Sequence, residues 1–567
     1  MMTDEEYSQQ RTDALQRILE SRARHKLIVA GPGTGKTYTF QRVLEAVDGR
    51  GLAMTFLLVL VRDLSDAIGE TTNVYSFHGF ARRLLHQLDG TGVTKGVTYY
   101  PALAQIFIED LRITDAVVLD THELGGLFRN LADSDLSLRR TLASGRYYDA
   151  VGFDDAVYRV LQALVADEAR IPRYPQIVVD EFQDFCPLEV SLVERLALQS
   201  PTLIVGDDDQ ALYAFRDAAP EAIRNLAAGD EYERFELPFC TRCTEVIVTA
   251  TQTVVNHAQA VGLLAERLEK PYACFLPEKR DESARHPKIL HAHCSTQTSR
   301  APYMGRYIKR AIEQISVDDI QESYAKKWPT VLIIGPNPFL GQVERYLREH
   351  FANITVSTKE TPELRLLDGY RFLVNDPKSN LGWRVLLQLI QPVDWEASVR
   401  DALTGDVGLC DGLQAEFLAH HLSISRLLAR YSSGETLLVD ERAALAYALE
   451  TEQGNLDETI NPPEVPIATA DPSQPSIMLT TLMGSKGLQA AHVFVVGLNE
   501  GHFPHRNSAP TNEEVCQLLV ALTRTRKSCT LVSTGRLGAD WLGESVFLRW
   551  LAPQLDTITV DRHFFTS

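Results

Sequence analysis

The sequence has no long apolar run, few cysteines and no excess of positive charge. No stretch of about 18 uninterrupted apolar residues occurs in the 567-residue chain, so no membrane-spanning helix is expected. The first residues, Met1 to Glu6, are acidic and carry no apolar core, which argues against a secretory signal. Eight cysteines over this length do not form a disulfide framework. These absences favour a cytoplasmic protein that makes no contact with a membrane.

The formal net charge is −19, which restricts the ways in which the chain can bind nucleic acid. A protein that coats nucleic acid without sequence preference is usually basic, because its affinity comes from neutralising phosphates. The acidic balance therefore argues against a passive coating protein. It is compatible with a protein that grips one strand in a locally basic groove.

Short apolar segments alternate with helical patterns in both halves of the chain. The segments that read as buried strands are Lys26–Ala30, Leu52–Phe56, Ile177–Val179, Leu203–Val205, Val331–Ile334, Ile354–Val356, Ile477–Thr480, Val493–Val496 and Thr530–Val532. Strands that alternate with helices predict parallel sheets covered on both faces. The sequence therefore predicts an α/β protein with two parallel sheets.

Two stretches interrupt this alternation. Residues from about 100 to 169 and from about 364 to 449 are mostly helical in pattern, and the proline-rich segment Asn461 to Ser476 resembles a linker. Each stretch reads as a helical subdomain inserted into an α/β domain. The predicted order is a first α/β domain (1–90 and 169–236) with its insertion (91–168), then a second α/β domain (237–363 and 476–567) with an insertion and linker (364–475).

A glycine-rich loop follows the first strand candidate. It comprises Gly31, Pro32, Gly33, Thr34, Gly35, Lys36 and Thr37 and matches the strand–GxxxxGK[ST]–helix pattern. The glycines let backbone N–H groups turn toward phosphates, aided by the positive end of the following helix. Lys36 is expected to reach the β- and γ-phosphates, and Thr37 to offer its hydroxyl to Mg²⁺. The loop predicts binding of a nucleoside triphosphate.

A second acidic element follows the strand candidate Ile177–Val179. Asp180 and Glu181 emerge at the end of this strand, where open α/β sheets bind their ligands. Asp180 suits a Mg²⁺ partner, and Glu181 suits a base that orients and deprotonates the attacking water. Together with the glycine loop, this pair predicts hydrolysis of the bound nucleotide.

The motifs as a set resemble the UvrD/Rep group of superfamily 1 DNA helicases. The matching segments, in chain order, are Gly31–Thr37, Tyr75–Phe80, Asp180–Asp184, Val205–Arg216, Leu237–Ile247, Thr480–Gln489 and Val520–Arg526. The resemblance implies two RecA-like parallel-sheet motor domains, each with an inserted helical subdomain. It also implies ATP as the nucleotide, with Gln210 at its γ-phosphate and with Arg242 and Arg524 as arginine fingers from the second domain. A cation there would stabilise the transferring phosphoryl group.

The resemblance also implies a set of residues that contact a single DNA strand. These are Phe77, His78, Tyr213, Phe215, Arg216, Thr481 and Met483. Phe215 stands where the group usually carries a tryptophan, and a phenyl ring still offers a face on which a base can stack. Its alternative role is that of an ordinary core aromatic. Stacking would leave the protein largely indifferent to DNA sequence.

Several positions depart from the pattern of the group, and most of them concern the nucleotide base. Thr241 replaces a tyrosine that commonly stacks on adenine, and we expect Tyr38 to supply part of that contact. Met483 replaces a common histidine, and Gln489 replaces a glutamate associated with the ribose. Gln10 is the expected adenine-reading glutamine, with Gln16 as its competitor.

The pair Cys240-x-x-Cys243 raises the question of a metal site. Zinc normally needs four ligands, and the distant residues Cys274, His291, His293 and Cys294 lack a familiar spacing. The pair therefore reads as divergence within a motif.

The expected activity is ATP-dependent 3′-to-5′ translocation on single-stranded or tailed duplex DNA, with duplex unwinding as its result. Its polarity rests on the resemblance. The alternative is a DNA-stimulated ATPase subunit that acts as a sensor or switch for a nuclease partner, as in Gabija-type antiphage or repair complexes. The short sequence after Arg524 leaves no room for a nuclease domain, so any cutting would belong to a partner. A phosphate-loop kinase or GTPase would leave Arg242 and Arg524 unexplained.

Overall fold

The computed structural model describes residues 2–55, 61, 65–66, 68–69, 72–88, 97–357, 362–461, 471, 473–505 and 509–566. The strands are β1 (His25–Val29), β2 (Gly51–Thr55), β3 (Thr72–Ser76), β4 (Thr98–Tyr99), β5 (Ala150–Val151), β6 (Ile177–Val179), β7 (Thr202–Gly206), β8 (Glu233–Glu236), β9 (Phe239–Cys240), β10 (Ala273–Cys274), β11 (Ile289–Cys294), β12 (Val331–Ile334), β13 (Ile354–Val356), β14 (Ile477–Thr480), β15 (Ala490–Val496), β16 (Thr525–Thr534), β17 (Arg536–Leu537), β18 (Asp540–Trp541) and β19 (Leu555–Val560).

Helices separate most of these strands. They are α1 (Asp4–Glu20), α2 (Lys36–Glu45), α3 (Phe77–Gln87), α4 (Leu103–Asp115), α5 (Thr121–Arg129), α6 (Leu136–Tyr147), α7 (Phe153–Ala166), α8 (Pro187–Ala197), α9 (Glu221–Ala228), α10 (Glu245–Ala260), α11 (Leu276–Arg285), α12 (Tyr303–Ile312), α13 (Val317–Ala325), α14 (Asn337–Arg348), α15 (Leu366–Asn375), α16 (Asn380–Ile390), α17 (Trp395–Gly405), α18 (Ala415–Ser432), α19 (Val439–Ala448), α20 (Leu456–Ile460), α21 (Asn512–Leu522) and α22 (Val546–Leu551). Among the described residues, no helix is long and apolar enough to span a membrane.

The first α/β domain is built on a six-stranded sheet with the order β3-β2-β6-β7-β1-β8. All of its pairings are parallel. The strands β1, β6 and β7 lie inside the sheet, and their buried segments Leu27–Val29, Ile177–Val179 and Leu203–Val205 are entirely apolar, as expected for strands covered on both faces. The carboxyl ends of these three strands carry the glycine loop and two acidic turns.

The second α/β domain contains a seven-stranded parallel sheet with the order β13-β14-β12-β15-β16-β11-β19. The apolar segments predicted as strands lie within strands of the two sheets, except that Phe56 falls outside the described residues and Ala30 directly follows β1. Four described strands of these two sheets were not predicted, namely β3, β8, β11 and β19. Their polar side chains obscure the alternation of apolar and polar residues that indicates a strand.

Helices α4 to α7 interrupt the first α/β domain, and helices α15 to α20 interrupt the second. The predicted fold class, two parallel sheets each with a mainly helical insertion, is confirmed. The boundaries assigned to the domains stay a prediction, and most of the expected proline-rich linker lies outside the described residues. Below, the first insertion means α4 to α7 and the second insertion means α15 to α20.

Candidate active site

The glycine loop connects β1 to α2 and is closed by a hydrogen bond from the Thr34 hydroxyl to the Gly31 carbonyl, 2.8 Å long. Gly33 and Gly35 have φ values of 71° and 92°, which are costly for residues with a side chain. A Cβ atom on Gly33 would also lie 2.5 Å from Cβ of Arg242. Glycine is therefore required both by the turn and by the close approach of the second domain's first segment.

The acidic turn after β6 places Asp180 and Glu181 beside the glycine loop. Lys36 Nζ lies 3.8 Å from Glu181 Oε1, and Gln183 Nε2 donates to Glu181 Oε2 at 2.6 Å. Glu181 has a left-handed backbone with φ of 54°, a conformation that is sparsely populated by residues other than glycine. This local strain turns the carboxylate toward the loop.

The pKa values of these two carboxyl groups shift in opposite directions. Burial, together with the neighbouring Glu181 charge, raises the pKa of Asp180. Burial also opposes ionisation of Glu181, but Lys36 and Lys486 outweigh it and lower the pKa of Glu181 to about 2. Glu181 is therefore a carboxylate at neutral pH, whereas Asp180 gains from a cation placed next to it.

Two arginines, the buried Arg524 and the half-buried Arg242, reach this site from the other side of the cleft. Arg242 Nη1 donates to the Thr523 carbonyl at 3.3 Å, and Arg524 Nη2 donates to Gln210 Oε1 at 3.1 Å. Burial, aided by the Arg242 cation, lowers the pKa of Arg524 to about 9. Arg242 Nε is buried and has no hydrogen-bond partner in the part of the chain that the structure describes. Both observations fit a site that receives an anion.

Gln210 links the two sides of the cleft. Its Nε2 donates to Asp207 Oδ2 at 2.6 Å, and its Oε1 accepts from Arg524. Asp207 and the next two aspartates surround the ammonium group of Lys270 at 2.8, 3.1 and 2.7 Å. This buried ion cluster holds the turn after β7 in place and therefore fixes the position of Gln210.

Lys486, within the segment Thr480–Gln489, is a further site residue that was not predicted. Its ammonium group forms a hydrogen bond with Asp184, donates to the Gln210 carbonyl at 2.7 Å and lies 3.4 Å from Glu181 Oε2. Lys486 comes from the second domain and Glu181 from the first. The sequence did not reveal this pairing, because 302 positions separate Lys486 from Asp184.

The described walls of the cavity contain most of the predicted nucleotide residues. The cavity has a volume of about 200 Å³. Its lining comprises Pro32, Gly33, Gly35, Lys36, Thr37, Asp180, Glu181, Gln210, Thr241, Arg242, Gly487, Gln489, Arg524 and Arg526. Thr37 and Asp180, the predicted Mg²⁺ partners, both lie on this wall. Arg526 was not predicted; it donates to Gln489 Oε1 at 3.0 Å and packs on the Trp328 ring.

Two residues expected to read the base lie outside this lining. Tyr38 is 52% exposed on the first turn of α2, and Gln10 is exposed on α1. Neither belongs to the described residues that line the cavity. The roles of Tyr38 and Gln10 in binding the base therefore stay predictions. A base would extend from the phosphate site toward solvent.

The residues predicted to contact DNA fall into three groups. Phe77 and Tyr213 are buried in the core, so neither ring presents a free face in this arrangement. Phe215 is 45% exposed, and its carbonyl forms a hydrogen bond with the ring of His122 in the first insertion. The other four are partly buried, namely His78, Arg216, Thr481 and Met483.

His78 and Arg216 share one acidic partner. Asp154 of the first insertion lies 3.4 Å from His78 Nε2 and 3.7 Å from Arg216 Nη2, and Arg129 also pairs with it at 2.9 Å. Burial opposes the ionisation of Asp154, but His78 and the two arginines prevail and lower its pKa to about 2. The first insertion therefore positions two predicted strand-contacting residues.

Comparison with known proteins agrees with this arrangement. Residues 137–229 match the family model of the UvrD/REP helicase N-terminal domain. The chain is 23% identical to the ATP-dependent DNA helicase PcrA of Leuconostoc citreum over 93% of this chain and 83% of that protein. It is 25% identical to the ATP-dependent DNA helicase UvrD1 of Mycobacterium tuberculosis, with the same coverage of each chain.

A shorter stretch is more similar to a third protein. Over 164 residues, the chain is 31% identical to the RecBCD enzyme subunit RecB of Escherichia coli, covering 26% of this chain and 13% of RecB. The matches to PcrA and UvrD1 extend through both α/β domains and both insertions. The resemblance predicted from the motifs is thereby confirmed: the chain is similar to UvrD-like DNA helicases over most of its length.

Proposed function

We propose that the chain hydrolyses ATP in the cleft between its α/β domains and uses the resulting movement to translocate 3′-to-5′ along single-stranded DNA, unwinding duplex ahead of it. The observation that carries the proposal is the composition of the cleft. Lys36 and Glu181 of the first domain face Arg242 and Arg524 of the second across one cavity. The similarity to proteins named ATP-dependent DNA helicases supports ATP and DNA as the ligands.

The phosphate chain of ATP would lie along the glycine loop, with Lys36 at its outer phosphates. Thr37 and Asp180 would hold Mg²⁺, which supplies charge neutralisation at the β- and γ-phosphates. The raised pKa of Asp180 fits this role, because a bound cation would favour its ionised form. Arg242, whose Nε has no hydrogen-bond partner among the described residues, would turn toward the γ-phosphate.

The two carboxylate oxygens of Glu181 have different surroundings, and Oε1 is the one that could accept a hydrogen bond from the attacking water. Gln183 and Lys486 hold Oε2, whereas Oε1 faces Lys36 at the longer distance of 3.8 Å. A carboxylate with a lowered pKa accepts a hydrogen bond well but retains a proton poorly. The main contribution of Glu181 is therefore to orient the water, and the two arginines stabilise the phosphoryl charge.

ATP hydrolysis would be coupled to movement because the two arginines at the phosphates come from the second domain and the glycine loop comes from the first. Nucleotide phosphates between the two domains would attract Arg242 and Arg524 and close the cleft, and release of phosphate would remove that attraction. Gln210 connects the cleft to the turn that carries Tyr213 and Phe215, so closure would shift the surface proposed to contact DNA. Alternating grip along one strand requires two such states.

Partial duplexes with a 3′ or a 5′ single-stranded tail test the proposal. We expect strand displacement from the 3′-tailed substrate alone, dependent on ATP and Mg²⁺ and lost in the Lys36→Ala variant. Displacement from the 5′-tailed substrate alone would overturn the polarity. Strong DNA-stimulated hydrolysis without displacement would favour the switch subunit of a nuclease complex. An Arg549→Ala variant provides a control, since this exposed arginine pairs only with Glu500 among the described contacts.

A further inference from the structure

A cluster of metal-ligand side chains lies in the second α/β domain, separate from the nucleotide cavity. His291 and His293 lie on β11, and Glu544 lies in the loop between β18 and α22. One nitrogen of each imidazole and one Glu544 carboxylate oxygen all lie within 4.8 Å of one another. None of these three residues belongs to the cavity lined by the glycine loop.

The strand determines that the two imidazoles converge. Residues two apart on a β-strand point to the same face, so both histidines face the same side of the sheet. His291 Nε2 and His293 Nδ1 lie 2.9 Å and 3.1 Å from a common atom, the Ser533 hydroxyl of the adjacent strand β16. The register pairs His293 directly with Ser533. Two nitrogen ligands are therefore aimed at one point by regular sheet geometry.

Glu544 is held near that point by its backbone. It forms an isolated antiparallel bridge with Asn499, whose side-chain amide also donates to the Gly543 carbonyl at 2.9 Å. The adjacent Ser545 N–H donates to the Leu498 carbonyl at 3.1 Å. The carboxylate then lies 2.9 Å from His293 Nδ1 and 4.0 Å from His291 Nε2. A tetrahedral zinc site needs about 3.3 Å between ligand atoms, so movements of about 1 Å would complete it.

A neighbouring hydroxyl group orients the ring of His291. Its Nδ1 lies 3.3 Å from the Thr557 hydroxyl, and a proton on Nδ1 donated to that oxygen leaves the Nε2 lone pair facing the cluster. The entry side is open, because the His293 and Glu544 side chains are 29% and 45% exposed.

We propose that His291, His293 and Glu544 bind one divalent transition-metal ion of the zinc class, with Ser533 or water as the fourth ligand. Two imidazoles and one carboxylate favour such an ion over Mg²⁺, which prefers oxygen ligands. The ion would tie the loop between β18 and α22 to strand β11 of the second sheet. This site is independent of the proposed helicase activity.

Cobalt binding to the full chain, freed of metal and without nucleotide, provides the test. We expect one Co²⁺ per chain with the visible absorption of a tetrahedral site, and displacement of Co²⁺ by Zn²⁺ but not by excess Mg²⁺. Glu544→Gln and His293→Asn should each weaken binding by roughly 100-fold, and Thr557→Val by roughly tenfold. Circular dichroism of each variant checks that the fold is retained. The matched control is His350→Asn, which removes an exposed histidine from the same domain.

Three results would overturn the proposal. Binding that survives in the His291→Asn/His293→Asn double variant would show an adventitious ion only. A thiolate-to-cobalt charge-transfer band would assign the ion to cysteines such as Cys240 and Cys243. If the wild-type chain bound no more Co²⁺ than a buffer blank, the cluster would be held by hydrogen bonds alone. None of these results bears on ATP hydrolysis, which is measured separately with Mg²⁺.

Discussion

The nucleotide cleft and the contact between the two helical insertions both join distant parts of the chain. The cleft is lined by charged side chains, whereas the contact between the insertions is mainly apolar. The cleft brings together Lys36, Arg242, Arg524 and Glu181 around a cavity of about 200 Å³. The insertions instead share one apolar core, which includes Leu111, Trp383 and Val399. An interface lined by charges can open when its ligand leaves, whereas an apolar one resists separation.

Among the residues that the structure describes, one buried ion pair lies within the apolar contact. Arg384 Nε donates to Asp110 Oδ1 at 2.8 Å, and the Tyr148 hydroxyl donates to the second Asp110 oxygen at 2.9 Å. Both charged side chains are almost fully buried, with 0% and 3% of their surface exposed. Here each charge already has its partner. In the cleft, Arg242 lines the cavity and forms no ion pair among the described residues, which distinguishes a site that receives a ligand from a closed structural pair.

The largest expected effect is on the cleft. We expect Arg524→Ala to lower DNA-stimulated ATP hydrolysis roughly 10³-fold or more, because an arginine at the transferring phosphoryl group stabilises the transition state. The KM for ATP should change far less than kcat. Steady-state hydrolysis assays measure both, with Arg549→Ala as the surface control. A loss of less than tenfold would remove Arg524 from the proposed mechanism.

The next effect is on the contact between the insertions. Asp110→Asn leaves the buried Arg384 cation uncompensated and should lower the free energy of unfolding by about 3–5 kcal/mol. The double variant Asp110→Leu/Arg384→Met should recover most of that loss. Urea denaturation measures the change. Arg112→Ala, at an exposed pair across the same contact, should cost no more than about 1 kcal/mol.

ATP hydrolysis by the folded Asp110→Asn protein distinguishes the two regions. We expect near wild-type hydrolysis under conditions where the variant stays folded, because Asp110 does not line the cleft. A loss of hydrolysis as large as that expected for Arg524→Ala would show that the insertions and the cleft act as one unit.

A smaller effect is expected on DNA binding. Phe215→Ala should weaken binding to single-stranded DNA by about 1–3 kcal/mol, the usual contribution of one stacked base, and Phe215→Trp should preserve it. Fluorescence anisotropy with a labelled oligonucleotide provides the measurement. Tyr447→Ala is the control, since this tyrosine is 87% exposed on the second insertion. Equal affinities for Phe215→Ala and wild type would return Phe215 to a structural role.

The smallest effect is a pH dependence confined to the second insertion. Burial lowers the pKa of His421 to about 4, below the unfolded value of about 6.5. Its neutral form is therefore favoured in the folded state, so the stability it contributes is complete above pH of about 6.5 and is lost as the pH falls toward 4. We expect a loss of about 1–2 kcal/mol, allowing for partial solvent screening. Denaturation at several pH values, with His421→Gln as the non-titrating comparison, should show it.

The sequence predicted the cleft better than it predicted the surface for DNA. Asp180, Glu181, Gln210, Arg242 and Arg524 were expected at one site with the glycine loop, and they line one cavity together with Pro32, Gly33, Gly35, Lys36 and Thr37 of that loop. Phosphate chemistry demands particular residue types at fixed spacing, so the motifs are readable from the sequence. Stacking aromatics have no such signature, because a ring that packs in the core and a ring that binds a base look alike. Phe77 lies in the core, whereas Phe215 is half exposed.

The sequence by itself determined the two parallel sheets, the phosphate-binding loop and the acidic turn, since each depends on residues close together in the chain. Only the tertiary structure decided the partners of Lys486, the joining of the two insertions through Asp110 and Arg384, and the meeting of His291 and His293 with Glu544. These contacts join residues separated by 302, 274 and about 250 positions. Local patterns fix elements, but burial and charge pairing at such separations depend on how the elements pack.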